Sequence, residues 1–345
     1  MTNTPLAPFT SLRVGGMAEK LYQPTTYEEA IGLLGHHDRS TPLWFLGFGS
    51  NVLISDDGLP GTTIMWCGGE ITEQDGLVIA DAGVWWDDVV QSAIRRGLWG
   101  IELTSEIPGS VGAAVFGNIA AYGQQVSDTL AWVEVYDQNT ATTQRIEGSD
   151  LTFSYRASSL QETTYIILRA AFRLSPNATH ELRYASAVAI ASEIDADIDD
   201  LTGRRIAIIE TRRRAGSIYH PNEPNAQRTA GSFFKNPIVT GDQAIMLASF
   251  DESGKTLQRI NQQNELHGGD PHRASAAHVL LAAGFRRGQT WENVRLHPDH
   301  VLKVETLDGA TAQNVADVAN EIMTTVKNNL DITIVPEVQF LGKFS

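Results

Sequence analysis

PLWFLGFGSNVLI, residues 42–54, reads as an apolar strand entering a glycine-rich loop and leaving it as a second strand. The first strand is Pro42–Leu46, the loop is Gly47-Phe48-Gly49-Ser50-Asn51, and the second strand is Val52–Ile54. Glycine reaches backbone angles that let successive N–H groups face an anion, so a phosphate cradle is one reading and a plain hairpin turn the other. The loop lacks the third glycine and following helix of a dinucleotide fingerprint, and it has no Gly-Lys-Ser/Thr. Working outward, Leu21–Gln23 reads as a strand, and Thr26-x-x-Glu29 is a capping box ahead of Ala30, Ile31, Leu33 and Leu34. Thr62–Trp66 adds another strand after the Asp57-Gly58 turn, so the opening of the chain is a small α/β unit.

The alternation continues. Leu77–Ala80 is strand-like, and Trp86–Arg96 carries helical spacing at Val89, Val90, Ala93 and Ile94, closed by Gly97. Residues 105–123 are rich in Gly and Ala and follow neither period. Trp132–Asp137 and Tyr165–Leu174 predict strands; Val188–Ile194 and Arg205–Arg212 predict helices. The turn-rich run SIYHPNEPNAQRT, residues 217–229, marks a domain boundary or a mobile loop. Helices are expected at Asp242–Phe250, Ala274–Ala283 and Ala312–Asn328, and an extended segment at Val335–Phe340.

With 345 residues, 42% of them hydrophobic, the chain is long enough for two or three domains. A net charge of −15 argues against an extended nucleic-acid surface, while a local basic cluster can still hold a small anion. Cys67 is alone, so no intrachain disulfide forms. The opening residues lack a leader pattern and no apolar run has spanning length, so a cytoplasmic protein without membrane or nucleic-acid partners is expected; a monomer suffices for this reading.

Four further stretches carry chemistry. Gly231-Ser232-Phe233-Phe234-Lys235-Asn236-Pro237 packs a hydroxyl, an ammonium and an amide beside two aromatics. Such a segment aims Ser232 at a reacting atom while Lys235 and Asn236 hold a charged end, or else it is an ordinary turn. Ile107–Ala114 and Asn118–Gly123 form a second glycine-rich stretch, suited to gripping an extended ligand by main chain or to tight packing of two elements. Arg156 follows Tyr155 and can fork onto a carboxylate, or sit at a strand end on the surface. Glu337 is a lone carboxylate in an apolar strand, facing solvent by alternation or buried with a partner. Arg212–Arg214 with Arg228 and Lys235 is a candidate basic patch, though arginines ending a helix also complement its dipole. His297-x-x-His300 and His267–His272 lack a third ligand at metal spacing, so no metal site is expected.

Taken in order, LGFGSNVL, IPGSVGAA, NIAAYG, SYRASS, AGSFFKNP, AGF and PEVQF resemble the UDP-N-acetylenolpyruvoylglucosamine reductases, flavoenzymes that complete UDP-N-acetylmuramate for peptidoglycan. The likeness runs from Thr10 to Glu337. It implies an α+β architecture: an FAD-binding fold of two α/β subdomains, of the vanillyl-alcohol oxidase type, plus a third α/β domain for substrate. The corresponding boundaries are 1–66, 67–215 and 216–331, with 332–345 returning to the first. The resemblance gives the hold on non-covalent FAD to Gly47, Gly49, Ser50, Asn51, Pro108, Gly109, Gly112, Ala113, Asn118, Tyr122 and Gly123. It implies that Arg156 and Glu337 flank the enolpyruvyl group and that Ser232 is the proton donor. Tyr155, Lys235, Asn236 and His300 would contact the substrate, as would Tyr184, which falls where one branch carries a loop tyrosine. The 76 positions separating Arg156 from Ser232 place the chain in that branch. The chain departs from the pattern in its long 217–229 stretch and in Trp291–Val294 ahead of His300.

By the same resemblance the chain is an NADPH-dependent oxidoreductase acting on a CH–CH group of UDP-N-acetylglucosamine enolpyruvate. A rival reading is an FAD oxidase or dehydrogenase of the same fold acting on another alcohol or sugar. Such enzymes often attach flavin through His or Cys, and neither glycine-rich stretch contains one. A second rival, a nucleotide-sugar binder without activity, has no need of a proton donor.

Overall fold

The computed structural model describes residues 1–219, 227–251, 254–266 and 272–345. Residues 220–226 of the turn-rich run, and His267, lie outside the described residues. The chain divides into two interleaved units. Unit one is Met1–Thr4, Ala18–Gly49 and Pro60–Glu223; unit two is Pro5–Met17, Ser50–Leu59 and Pro224–Ser345.

In unit one half of the expected capping box forms: the Thr26 hydroxyl accepts from the Glu29 amide at 3.2 Å and starts the helix Tyr27–Gly35, while the Glu29 carboxylate accepts from the Thr25 amide at 2.8 Å instead of the Thr26 amide. A four-stranded sheet has the order Thr2–Pro5, Met17–Tyr22, Leu59–Met65, Leu43–Leu46, the last two strands parallel. A second, antiparallel sheet of five strands has the order Thr142–Glu147, Leu130–Asp137, Tyr165–Phe172, Leu77–Asp81, Ile71–Gln74. The central strands alternate tightly enough to bury Val133, Val135, Leu168 and Phe172. The helix Trp86–Arg95 adds Trp86, Val89, Val90 and Ala93 to the same core, and the Trp86 ring meets Phe172 edge-on at 5.5 Å.

Two arginines tie the helix Leu201–Arg214 to this unit. Arg204 and Glu102 are both buried, with Arg204 Nη1 3.1 Å from the Glu102 carboxylate and 2.6 Å from the His180 carbonyl. The guanidinium also lies over Trp99 at 4.8 Å. Arg205 forks onto Asp87 with both bonds at 2.6 Å. Burial alone would push the Asp87 carboxyl up, but the Arg205 fork and the Glu106 amide hold it below its ordinary range.

Unit two has a separate core. Its four-stranded sheet has the order Thr229–Ser232, Lys303–Thr306, Val294–Leu296, Thr290–Trp291. Around it lie the helices Gly241–Ser249, Thr256–Leu266, Ala276–Ala282 and Ala312–Leu330. The last buries Val315, Ala319, Ile322, Val326 and Leu330, the spacing of one helical face. Its first turn is capped twice, by Thr311 and by Asp56, whose carboxylate accepts from the Ala312 and Gln313 amides at 2.9 Å each. The strand Gln339–Leu341 pairs in parallel with Val52–Ile54, which brings the end of the chain onto an early segment.

Several expectations need correction. Residues 105–123 contain the helix Val111–Phe116, capped by Ser110, and a small hairpin of Ala120–Ala121 with Gln124–Gln125. The extended segment expected at Val335–Phe340 is a ladder strand only at Gln339–Leu341. The strand Thr142–Glu147 was not expected, because it lies at a sheet edge with polar side chains in water.

Replacing Glu102 by Ala leaves the Arg204 guanidinium buried without its carboxylate, which costs about 3–5 kcal/mol. Denaturant unfolding should show a loss of that size, and a change below about 1 kcal/mol would remove the pair from the account of unit one.

Candidate active site

In unit one the two glycine-rich stretches meet. The Gly47 α-carbon faces Ser110 so closely that any Cβ there would overlap the Ser110 hydroxyl. Ser110 itself accepts from the Ala113 amide at 3.2 Å and caps the short helix. The Gly109 carbonyl accepts from the Trp86 amide at 2.9 Å, and the Gly112 amide donates to the Ala82 carbonyl at 2.9 Å. A Cβ on Gly112 would stand 3.0 Å from that of Ala82. The segment 82–86 and the loop 108–113 are thus joined main chain to main chain, and the loop Gly47–Gly49 stands against the Ser110 side chain, with Phe48 edge-on to Trp85 at 4.7 Å.

Left-handed backbone is concentrated here. Gly49, Asn118, Tyr122 and Gly123 all have φ between 42° and 97°. For Asn118 and Tyr122 this is a strained choice for a residue with a Cβ. Asn118 is held by its own side chain, whose Oδ1 accepts from the Ser127 amide at 3.0 Å and whose Nδ2 donates to the Ser154 carbonyl at 3.2 Å. Its side chain braces the loop, and its amide donates to the Val115 carbonyl at 3.1 Å.

That Ser154 contact leads to the hairpin Phe153–Ser154 with Ala157–Ser158, whose turn is Tyr155-Arg156. Arg156 sits at φ 56°, an unusual turn residue where glycine or asparagine is ordinary. The turn carries its guanidinium 5.8 Å from the Tyr155 ring centroid. The Ser158 hydroxyl donates to the Phe116 carbonyl at 2.8 Å, fixing the hairpin to the end of the short helix.

One cluster was not legible beforehand. Tyr122 is edge-on to Tyr184 at 5.2 Å, and the Arg212 guanidinium lies near enough to bear on the Tyr122 phenol electrostatically. Burial pushes the Tyr122 phenol up and the Arg212 guanidinium down from their ordinary values. Arg212 donates to the Ser217 carbonyl at 2.8 Å. Its neighbours face elsewhere: Arg213 and Arg214 pair with Glu210, and Arg228 pairs with Asp308. The expected basic patch is therefore a set of separately paired arginines, of which Arg212 alone joins the tyrosines. Helical spacing separates Arg212 from Arg213 by about 100°, the one signal that could have told them apart.

In unit two the segment 232–236 runs beside 335–337. The Lys235 amide donates to the Val335 carbonyl at 2.9 Å, and the Glu337 amide donates to the Phe233 carbonyl at 2.8 Å. Phe233 and Phe234 are buried and anchor the strand end, while Ser232 is exposed. Gly231 has φ 78°, and a Cβ on it would meet no protein atom. Ser232 therefore stands at an open surface within two residues of the Glu337 backbone pairing. Asn51 joins them, its Nδ2 3.3 Å from the Glu337 carbonyl and its own carbonyl accepting from the Gln339 amide. The Ser50 carbonyl accepts from Ser11 at 3.1 Å. Asn236 uses its Oδ1 to accept from the Ala276 amide at 2.9 Å, so it caps the helix Ala276–Ala282. His300 accepts at Nδ1 from the Leu302 amide at 3.2 Å, which leaves its proton on Nε2 in the neutral ring. Burial, with Lys303 and Arg287 nearby, pushes that imidazole down to about 4.

The sequence-predicted residues thus fall into two groups. Gly47, Gly49, Pro108 to Gly123, Tyr155, Arg156 and Tyr184 belong to unit one; Ser50, Asn51, Ser232, Lys235, Asn236, His300 and Glu337 belong to unit two.

Residues 18–147 match the family model of an FAD binding domain, and residues 223–341 match that of the UDP-N-acetylenolpyruvoylglucosamine reductase C-terminal domain. The UDP-N-acetylenolpyruvoylglucosamine reductase of Thermobifida fusca (strain YX) is 32% identical over 350 residues, covering 99% of this chain and 97% of that protein. The protein of the same name from Mycobacterium tuberculosis (strain ATCC 25618 / H37Rv) is 33% identical, covering 98% of this chain and 94% of its own. Among solved structures, the UDP-N-acetylenolpyruvylglucosamine reductase of Thermus caldophilus covers 98% of both chains with a TM-score of 0.66 at 24% identity, a likeness of fold. With full-length relatives at 32% and 33% identity and a match to the C-terminal domain model, the chain belongs to the UDP-N-acetylenolpyruvoylglucosamine reductase family.

Proposed function

We propose that the protein reduces UDP-N-acetylglucosamine enolpyruvate to UDP-N-acetylmuramate, with non-covalent FAD as cofactor and NADPH as reductant, in the cytoplasmic synthesis of peptidoglycan precursor. The observation that carries the reading is the pairing of 233–235 with 335–337, which fixes a serine hydroxyl and a carboxylate residue on adjoining backbone. In this reading residues 1–66 and 67–215 are flavin-binding subdomains and 216–331 is the substrate domain, with 332–345 returning to the first.

The loops of unit one fit a flavin dinucleotide. Main chain at Gly47 and Gly112 comes close to Ser110 and Ala82 without side chains, and the left-handed turn at Tyr122 and Gly123 adds half-buried main chain of the kind that binds phosphates. Ser50, Asn51, Pro108 and Ala113 complete the proposed hold. When bound there, FAD would supply the hydride-transfer chemistry between NADPH and the enolpyruvyl group.

The chain's own residues handle charge and proton. Arg156, always cationic, suits the substrate carboxylate as negative charge develops on C2, and its strained turn presets it for that charge. Ser232 gives its proton to C2, a task for a weak acid that depends on exact placement. Glu337 orients the reacting group from the paired segment. Tyr155, Lys235, Asn236 and the Nε2–H of His300 bind the sugar nucleotide, and Tyr184 closes on its diphosphate.

An anaerobic titration tests the whole reading. NADPH should bleach the flavin bands, and UDP-N-acetylglucosamine enolpyruvate should restore them; a flavin that only oxygen reoxidises would point to the oxidase class. Ser232→Ala should slow reoxidation by the enolpyruvyl substrate about 10²-fold or more while leaving flavin reduction by NADPH near normal. Equal losses in both half-reactions would sink the assignment of Ser232. Gly47→Ala, which drives a methyl into Ser110, should yield protein purified with little flavin; full yellow occupancy would remove this loop from the cofactor site.

His300 gives a pH dependence. Its imidazole is neutral in the folded protein down to about 4, whereas the unfolded chain takes up the proton near 6.5. The unfolded state therefore binds more protons between those values, and stability falls as pH drops from about 6.5 toward 4. His300→Gln should remove on the order of 2 kcal/mol of that acid sensitivity, read from urea unfolding at pH 7.5 and pH 4.5. Parallel losses in both proteins would show that His300 does not contribute.

A further inference from the structure

The sheet of unit two has one apolar and one charged face. Val304, Leu296 and Val294 point into the core, so strand alternation turns Lys303, Glu305, Arg295 and His297 to the opposite side. On that side the residues line up across three strands. Ser232 is the direct antiparallel partner of Lys303, and the His297 amide donates to the Lys303 carbonyl at 2.8 Å from the strand beyond. Beyond a bulge in the first strand, Thr229 opposes Glu305, which opposes Arg295. Directly opposed side chains start about 4.5–5.5 Å apart at their Cβ atoms.

This layer is nearly dry. Lys303 is 2% exposed, His297 4% and Glu305 8%, whereas Ser232 at the edge of the row is open to solvent. Glu305 is engaged by Arg295 at 2.6 Å. Both histidines on the Lys303 side are held below their ordinary values chiefly by burial, so they add no competing positive charge at neutral pH. His297 accepts at Nδ1 from the Asp299 amide at 3.1 Å, as His300 does from Leu302.

We propose that Lys303 is a positioning residue for the proton donor, holding a fixed positive charge beside Ser232 across the strand pair. The proposal rests on the reading of Ser232 given above. In the step concerned the Ser232 O–H bond breaks and a C2–H bond forms. The electron pair of the broken bond stays on the Ser232 oxygen, and solvent water returns a proton to it. Nothing is oxidised or reduced in this step. A nearby ammonium in a dry layer favours the state with charge on that oxygen, and its effect is confined to the second half-reaction.

The test uses the flavin-loaded enzyme with NADPH and UDP-N-acetylglucosamine enolpyruvate, comparing wild type with Lys303→Met, Lys303→Gln and Lys303→Arg by stopped-flow absorbance. The expected result for the neutral variants is flavin reduction by NADPH within about 2-fold of wild type and reoxidation slowed about 10–100-fold, the range of a general-acid contribution. The solvent deuterium isotope effect on reoxidation should rise, substrate affinity read by flavin absorbance should stay near wild type, and Lys303→Arg should restore most of the rate. Reoxidation at the wild-type rate in Lys303→Gln overturns the proposal, as do equal losses in both half-reactions with no change in isotope effect. Should Lys303→Met fail to fold, Lys303→Gln decides by the same criteria. Wild-type enzyme that the enolpyruvyl substrate does not reoxidise overturns the reading of Ser232 itself, and the positioning role with it.

Discussion

Two backbone hydrogen bonds hold together the candidate site segments of unit two: Lys235 N–H to the Val335 carbonyl and Glu337 N–H to the Phe233 carbonyl. They join segments about 100 residues apart in sequence, so closing them carries a loop-entropy cost. Each net bond contributes on the order of 1 kcal/mol, too little to close such a loop alone. Phe233 and Phe234 supply the rest by burying their rings in the core between the two bonds. The aromatic pair therefore anchors a serine that is itself exposed. Parallel pairing of Gln339–Leu341 with Val52–Ile54, and the Asn51 side chain on the Glu337 carbonyl, extend the same closure to the loop read first in the sequence.

Legibility followed burial. The strands Leu130–Asp137 and Tyr165–Phe172 were read nearly whole because their inward residues are β-branched or aromatic and their neighbours on both sides cover them. The edge strand Thr142–Glu147 was missed because a strand half in water needs no apolar pattern. The helix Val111–Phe116 was missed for a different reason. With six residues of Val, Gly, Ala and Phe it has no room for a period, and what starts it is the Ser110 cap.

The site was legible as a set of motifs and illegible as a set of contacts. Glycines announced the loops, since only they allow Gly47 to stand against Ser110. Asn118 and Asn236 were read as ligand-facing amides, yet the hydrogen bonds the structure gives their side chains are to the fold: Asn118 to Ser127 and Ser154, Asn236 to the Ala276 amide. An asparagine near a glycine turn is an efficient brace for strained backbone, and sequence cannot separate that use from ligand binding. The nearness of Arg212 to Tyr122 depends on which face of a helix meets which turn, and three consecutive arginines conceal it.

The charged layer of unit two is the feature least explained by stability. Filling the positions of Lys303, His297 and Glu305 with apolar residues of similar volume would avoid the desolvation of two charges and is often neutral or stabilising by about 1–4 kcal/mol. The Arg295–Glu305 pair offsets part of that cost. The alternation that buries Val304 in the core forces Lys303 onto the face shared with Ser232, so the strand cannot present the serine's neighbour without committing its side chain to this layer. An apolar residue there would pack as well and leave the serine in a neutral environment. A cation held there presets a field at one hydroxyl, and preset charge is the kind of contribution that a transition state rewards and a folded ground state does not.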